Sequence, residues 1–190
     1  MAANSFMVPL GTPAPDFSLP RADGGGQVAL KDAVDAPALL VAFLCNHCPY
    51  VQHVESAFGA FATEYAGKGL ATIGICANDV ASYPDDDAPH LVGQAKRAGF
   101  TFPYLVDEDQ QVALAYRAAC TPDFFLYDAA RRLVYRGQFD STRPKTGQVP
   151  TGASLRAAAD LALAGQPVPE PHDPSVGCSI KWKAGVAPDA

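Results

Sequence analysis

Apolar positions along the chain follow two periods. Unbroken apolar runs at residues 38–44 (ALLVAFL), 70–77 (LATIGICA) and 124–127 (FFLY), with a shorter one at 104–106 (YLV), predict strands buried on both faces, which need no alternate polar residues. Between the first two, Val51, Val54, Phe58, Phe61 and Tyr65 recur at spacings of three and four, which gathers them on one stripe of a helix ending near Gly67. Weaker helical patterns cover residues 90–98, 110–116 and 154–164, the last stopped by Gly165. In FFLYDAARRLVYRGQF two aromatic-rich runs flank polar turn residues, the pattern of an antiparallel hairpin. The order β-α-β-α-β-α-ββ-α implies an α/β fold in three layers, with a parallel core extended by an antiparallel hairpin.

Outside this core, residues 22–26 (ADGGG) form a turn between short N-terminal strands, so that residues 1–36 make a β extension of a domain spanning 1–165. Residues 166–190 are a tail: the Pro-rich stretch 165–177 keeps it extended, and CSIKWK alternates apolar and polar groups like a short strand or docked arm anchored by Trp182. The acidic PDDDAP at 84–89 is expected to be a solvated loop before a helix.

With 190 residues, 48% of them hydrophobic and 18% charged, the chain suits one core. A net charge of −6 argues against a nucleic-acid partner, and the absence of a long apolar run argues against a membrane span or signal peptide; a cytoplasmic protein, monomeric or weakly dimeric, is expected. In a reducing compartment five irregularly spaced cysteines point to catalysis, metal binding or burial rather than to a disulfide scaffold.

Two of them lie at the strand–helix seam in LCNHCPYV. Cys45 follows the first buried strand, and Cys48 with Pro49 opens the helix, proline being suited to a first turn where its missing N–H has no partner. Unpaired amides and the helix dipole favour a thiolate at such a place, and this reading assigns it to Cys45, with Cys48 three residues on to resolve a mixed disulfide. Two other readings stay open: a metal site using the cysteines with His47 or His53, for which no second CxxC exists, and inert core thiols.

The strand, CxxC and helix, together with GTPAPDFSLP, ICANDVASYPDD, CTPDFFLYD and the terminal GCSIKWK, resemble the thioredoxin fold, and more closely its peroxiredoxin-like, AhpC/TSA-related redoxin branch. The resemblance covers nearly the whole chain. It implies a thiol-disulfide oxidoreductase with no cofactor, acting on a protein or small-molecule disulfide and restored by a thiol reductant or reductase. It also implies a cis proline at Pro122 lying against the sulfurs, with Thr121 and Pro122 shaping the substrate groove. His47, directly before the second cysteine as in oxidising members of the fold, is expected to stabilise the Cys45 thiolate and raise the reduction potential.

The departures from the family matter as much. Leu44 and Leu39 stand where thioredoxins carry a tryptophan and a buried acid. Peroxiredoxins align their peroxide-attacking cysteine with Cys48, their activating threonine or serine with Cys45 and their arginine near Pro122, so two of the three peroxidase groups are replaced and a peroxidase ranks second. A thioredoxin-fold metal carrier is the third reading and needs His90 or His172 beside the cysteine pair. Cys76 is expected to be a buried apolar group; Cys120 and Cys178 are additional candidate thiols, the latter if the tail folds back over the site.

Overall fold

The computed structural model describes residues 2–188. In chain order its strands are β1 (Ala2–Asn4), β2 (Ser18–Pro20), β3 (Gln27–Ala29), β4 (Ala38–Phe43), β5 (Leu70–Cys76), β6 (Tyr104–Val106), β7 (Cys120–Thr121), β8 (Asp123–Tyr127), β9 (Leu133–Gly137) and β10 (Val176–Ser179). Its α-helices are α1 (Pro49–Ala66), α2 (Ala88–Ala98), α3 (Gln111–Tyr116) and α4 (Ala153–Leu163). The central sheet has the order β6-β5-β4-β8-β9, with β4, β5 and β6 parallel and β8 and β9 antiparallel. This is the expected three-layer thioredoxin-like arrangement.

Alternation along β4 sorts its residues into two cores, as it must for a strand covered on both faces. Leu40, Ala42 and Leu44 face α1, α2 and α4, whereas Leu39, Val41 and Phe43 face α3 and the N-terminal segment around Phe17 and Leu19. The helical stripe of α1 is buried throughout, and Phe58 sits among the rings of Phe61, Phe100, Phe102, Phe124 and Phe139. Side chains of this size contribute roughly 1.5–3 kcal/mol each when fully buried, which holds the N-terminus of α1 firmly against the end of β4.

Three features differ from the sequence reading. The N-terminal extension divides: β2 and β3 pair with each other, but β1 pairs with β10 from the tail, Ala2 opposite Cys178. The tail therefore belongs to a second sheet, β1-β10-β7, built from both ends of the chain and the short strand before Pro122. The acidic stretch is not wholly solvated either: Asp85 is exposed and Asp87 half-buried, but Asp86 is 1% exposed. Ile180 is buried, and Trp182 packs beside it in the α3-side core rather than over the cysteines. No helix among the described residues is long and apolar enough to cross a membrane.

Gly59 is where α1 meets α2. A Cβ there would lie 2.0 Å from the Ala98 carbonyl oxygen, at the C-terminus of α2, a backbone atom that cannot swing aside. Gly59→Ala is therefore expected to destabilise the protein by about 1–3 kcal/mol through overpacking, despite alanine's better helix propensity, as measured by denaturant unfolding.

Candidate active site

The chain leaves β4 at Phe43, and the Leu44 amide donates to the Ile75 carbonyl, so the strand's register carries one residue further before the backbone turns away. Residues 45–48 form the loop, Cys48 is the N-cap of α1, and Pro49 is the first helical residue. The helix N-terminus thus falls at Cys48, where the sequence put it, and the peptide dipoles act on that sulfur more directly than on Cys45.

Asp86 fixes the loop. Its Oδ1 accepts the amides of Asn46 (2.8 Å) and His47 (3.0 Å), and its Oδ2 meets His47 Nδ1 (2.6 Å) and the Asn78 side-chain amide (2.8 Å). A carboxylate taken out of water needs this many partners to offset its lost hydration. The His47 ring also stacks on Tyr83, with centroids 5.2 Å apart, while its Nδ1 is engaged by Asp86. From the other side, buried Gln94 donates to the Cys45 carbonyl (3.0 Å) and accepts from the Tyr104 hydroxyl (3.0 Å).

Both sulfurs are completely buried. They meet Thr121, which precedes a cis peptide to Pro122: Cys45 Sγ is 3.1 Å from the Thr121 hydroxyl, and the Cys48 thiol donates to the Thr121 carbonyl, also at 3.1 Å. Over them lies β10, antiparallel to β7 with Cys178 opposite Thr121. Gly177 permits the approach, since a Cβ there would stand 2.0 Å from the Thr121 carbonyl oxygen and 3.1 Å from the Pro122 nitrogen. Cys178 is half-buried and packs against the cluster that contains both active-site sulfurs.

The two cysteines of the pair differ electrostatically. The hydrogen bond from the Cys45 thiol is the largest influence on Cys48, and the thiol and amide of Cys178 and the amide of Val51 add to it; despite burial, the Cys48 thiol is held down, to about 5. Cys48 closes no full capping hydrogen bond, so the Val51 amide is a minor contributor. The Thr121 carbonyl pulls the other way, because it accepts only from the neutral thiol. Cys45 is pushed well up, first by its hydrogen bond to Cys48, then by burial and by the negative charge of Asp86. Burial and the nearby Cys48 sulfur push Cys178 up to about 12. The sequence reading gave the thiolate to Cys45; the directions of the two shifts favour Cys48 instead.

Cys120 shares β7 with Thr121, but its sulfur points to the carbonyls of Pro122 (3.6 Å) and Ser175 (4.0 Å), and burial raises its pKa along with that of Cys76. Neither His90 nor His172 joins the cysteine pair. The former pairs with Asp87 on the surface and the latter meets Arg136 and the Tyr135 ring. Cys45, His47 and Asp86 bring one ligand atom each within 4.8 Å of one another, yet both Asp86 oxygens are already engaged, so an ion would have to displace bonds that hold the loop. A groove of about 460 Å³ lined by Val28, Asp32, Leu70 and Phe102 shares no residue with this site. Asp86, Asn78 and Gln94 are the functional neighbours that sequence reasoning missed.

The model of the AhpC/TSA family matches residues 10–136, a segment that runs through the cysteine loop, the cis proline and the hairpin. The chain belongs to the AhpC/TSA family. Two solved structures resemble this AhpC/TSA protein over almost all of its length. One is a hypothetical protein from Sinorhizobium meliloti 1021, with 50% identity, a TM-score of 0.93, and 96% of this chain and 99% of that one covered. The other is an uncharacterized conserved protein from Geobacillus kaustophilus, with 46% identity, a TM-score of 0.94 and 98% of each chain covered. More distantly, a thiol:disulfide interchange protein of the thioredoxin family from Chlorobium tepidum TLS shares the fold, at 19% identity and a TM-score of 0.61, over 80% of this chain and 97% of that one. No protein of curated function matches the sequence.

Because Gly177 is what lets β10 lie on the cis-proline strand, Gly177→Ala is expected to lift the tail and uncover Cys48. Iodoacetamide alkylation of Cys48 at neutral pH, followed by peptide mass spectrometry, should then be at least about tenfold faster than in the unaltered protein, burial being the barrier removed.

Proposed function

We propose that this protein is a thiol-disulfide oxidoreductase in which Cys48 is the nucleophile and Cys45 the resolving thiol. The observation that carries this reading is the place of Cys48 at the N-cap of α1, where the helix dipole favours a thiolate, beside a Cys45 sulfur that lies within 4.8 Å of the Asp86 carboxylate. The Cys48 thiolate attacks one sulfur of a disulfide, forming a mixed disulfide and releasing one thiolate. Cys45 then gives up its proton and attacks the Cys48 sulfur; a Cys45–Cys48 disulfide forms and the second thiol leaves. A thiol reductant or reductase returns the pair to its reduced state. The fold shared with a thiol:disulfide interchange protein is consistent with this chemistry.

Complete burial of both sulfurs favours small disulfides over protein ones, since the strand position beside Thr121, where an extended peptide would pair, is held by β10. His47 enters this scheme through Asp86: by fixing that carboxylate next to Cys45 it keeps the negative charge of the site on Cys48.

One observation favours a second reading. The favoured thiolate is on Cys48, the position that peroxiredoxin-like chains use against peroxide. Against it, the largest influences on that sulfur are thiols and amides rather than a guanidinium, and such a cation is what stabilises a leaving hydroxide. Stopped-flow oxidation of the reduced protein by bis(2-hydroxyethyl) disulfide and by hydrogen peroxide separates the two. We expect the disulfide to react faster, and Cys48→Ser to abolish the reaction. A faster peroxide reaction would install the peroxidase reading instead.

A further inference from the structure

The mechanism above uses two of the three sulfurs gathered at this site. Cys178 is the third, and three geometrical facts place it there. It stands opposite Thr121 in the β10–β7 pairing, the residue whose carbonyl receives the Cys48 thiol. It packs into the cluster that holds Cys45 and Cys48, and β10 packs against α1, whose N-cap is Cys48. The strand is also seated by other contacts: the Ser5 amide donates to the Ser175 carbonyl, the Ile180 amide to the Ala119 carbonyl, and the Lys181 amide to the Asn78 side chain (2.8 Å).

We propose that Cys178 is a second resolving thiol, closing a Cys48–Cys178 disulfide that fastens the tail across the active site. This rests on Cys48 being the nucleophile. A small organic disulfide RSSR supplies the oxidation: the Cys48 thiolate attacks it, a Cys48–SR bond forms, the S–S bond of RSSR breaks, and RS⁻ leaves and takes a proton from water. Cys178 releases its proton to the departing thiolate or to water, its sulfur attacks the Cys48 sulfur, and the second RS⁻ is expelled. Two protein thiols have become one disulfide and RSSR has become two RSH.

What such a bond would do follows from where β10 lies. With the strand merely hydrogen-bonded, the cover over Cys48 opens whenever the tail lifts; with the strand tied, it cannot. Cys45, still free, can attack Cys48 in the tied form, giving Cys45–Cys48 and releasing Cys178 without any further oxidant. Cys178 thus makes a relay of the pair and couples its oxidation to closure of the groove.

The test uses the full-length Cys45→Ser protein and Cys45→Ser with Cys178→Ala, each treated with bis(2-hydroxyethyl) disulfide and analysed without reduction by intact and peptide mass spectrometry. Thermal unfolding is recorded first, and Cys45→Ala replaces Cys45→Ser if the serine unfolds the core. The expected result is that the single variant loses its Cys48 adduct and yields a Cys48–Cys178 linked peptide, while the double variant keeps the adduct. An adduct equally persistent in both variants, or Cys178 linked to a cysteine other than Cys48, would overturn the proposal while leaving Cys48 as the nucleophile. A folded protein that takes up no adduct on Cys48 in either variant would overturn both.

Discussion

A buried carboxylate organises this molecule's chemistry. Asp86 accepts two amides from the Cys45–Cys48 loop, the His47 ring and the Asn78 side chain, and Asn78 in turn receives the Lys181 amide from the tail. One charged group, held out of water, therefore joins the cysteine loop, the segment after β5 and the C-terminal strand. Its partners offset the cost of burial, and the charge also acts at short range. Lying near Cys45, it opposes a second negative charge there, so the donors around the pair work in favour of Cys48. The interaction that sets the shape of the loop thus also bears on the charge of its two sulfurs.

Packing supplies the rigidity this requires. The aromatic cluster around Phe58 fixes α1 against β4, and the close α1–α2 approach at Gly59 brings α2, with its buried Gln94, up to the Cys45 carbonyl. On the opposite side β7 delivers the Thr121 hydroxyl to one sulfur and its carbonyl to the other. Each contact is a single ordinary hydrogen bond; their combined effect depends on three separate elements being held to a fraction of an ångström, which a well-packed interior provides.

Much of this was legible in the chain. The stripe from Val51 to Tyr65, the apolar runs of β4 and β5, and the hairpin of β8 and β9 each carry a local period, and a local period survives without knowledge of the fold. CxxC at the seam, followed by Pro49, marked the candidate site. What was not legible is non-local. Strands β1, β7 and β10 are two to four residues long, and their pairing joins Ala2 to Cys178 and Cys178 to Thr121, so no periodic signal announces them. Asp86 is one of three consecutive aspartates, and nothing in the stretch distinguishes the buried one from its neighbours. The choice between the two sulfurs depends on such a contact as well: part of the negative charge that pushes Cys45 up comes from Asp86, far along the chain, and no local pattern announces it.

The central claim is that the reduced protein carries its thiolate on Cys48. Titrating the ultraviolet absorbance of thiolate with pH in the unaltered protein, in Cys48→Ser and in Cys45→Ser tests it directly. The account predicts one thiolate appearing around pH 5 in the unaltered protein and none in that range in Cys48→Ser. In Cys45→Ser one low-pH thiolate should remain, with its midpoint moved upward if the serine hydroxyl donates less well than the thiol. A low-pH thiolate that survives Cys48→Ser and vanishes in Cys45→Ser would contradict it.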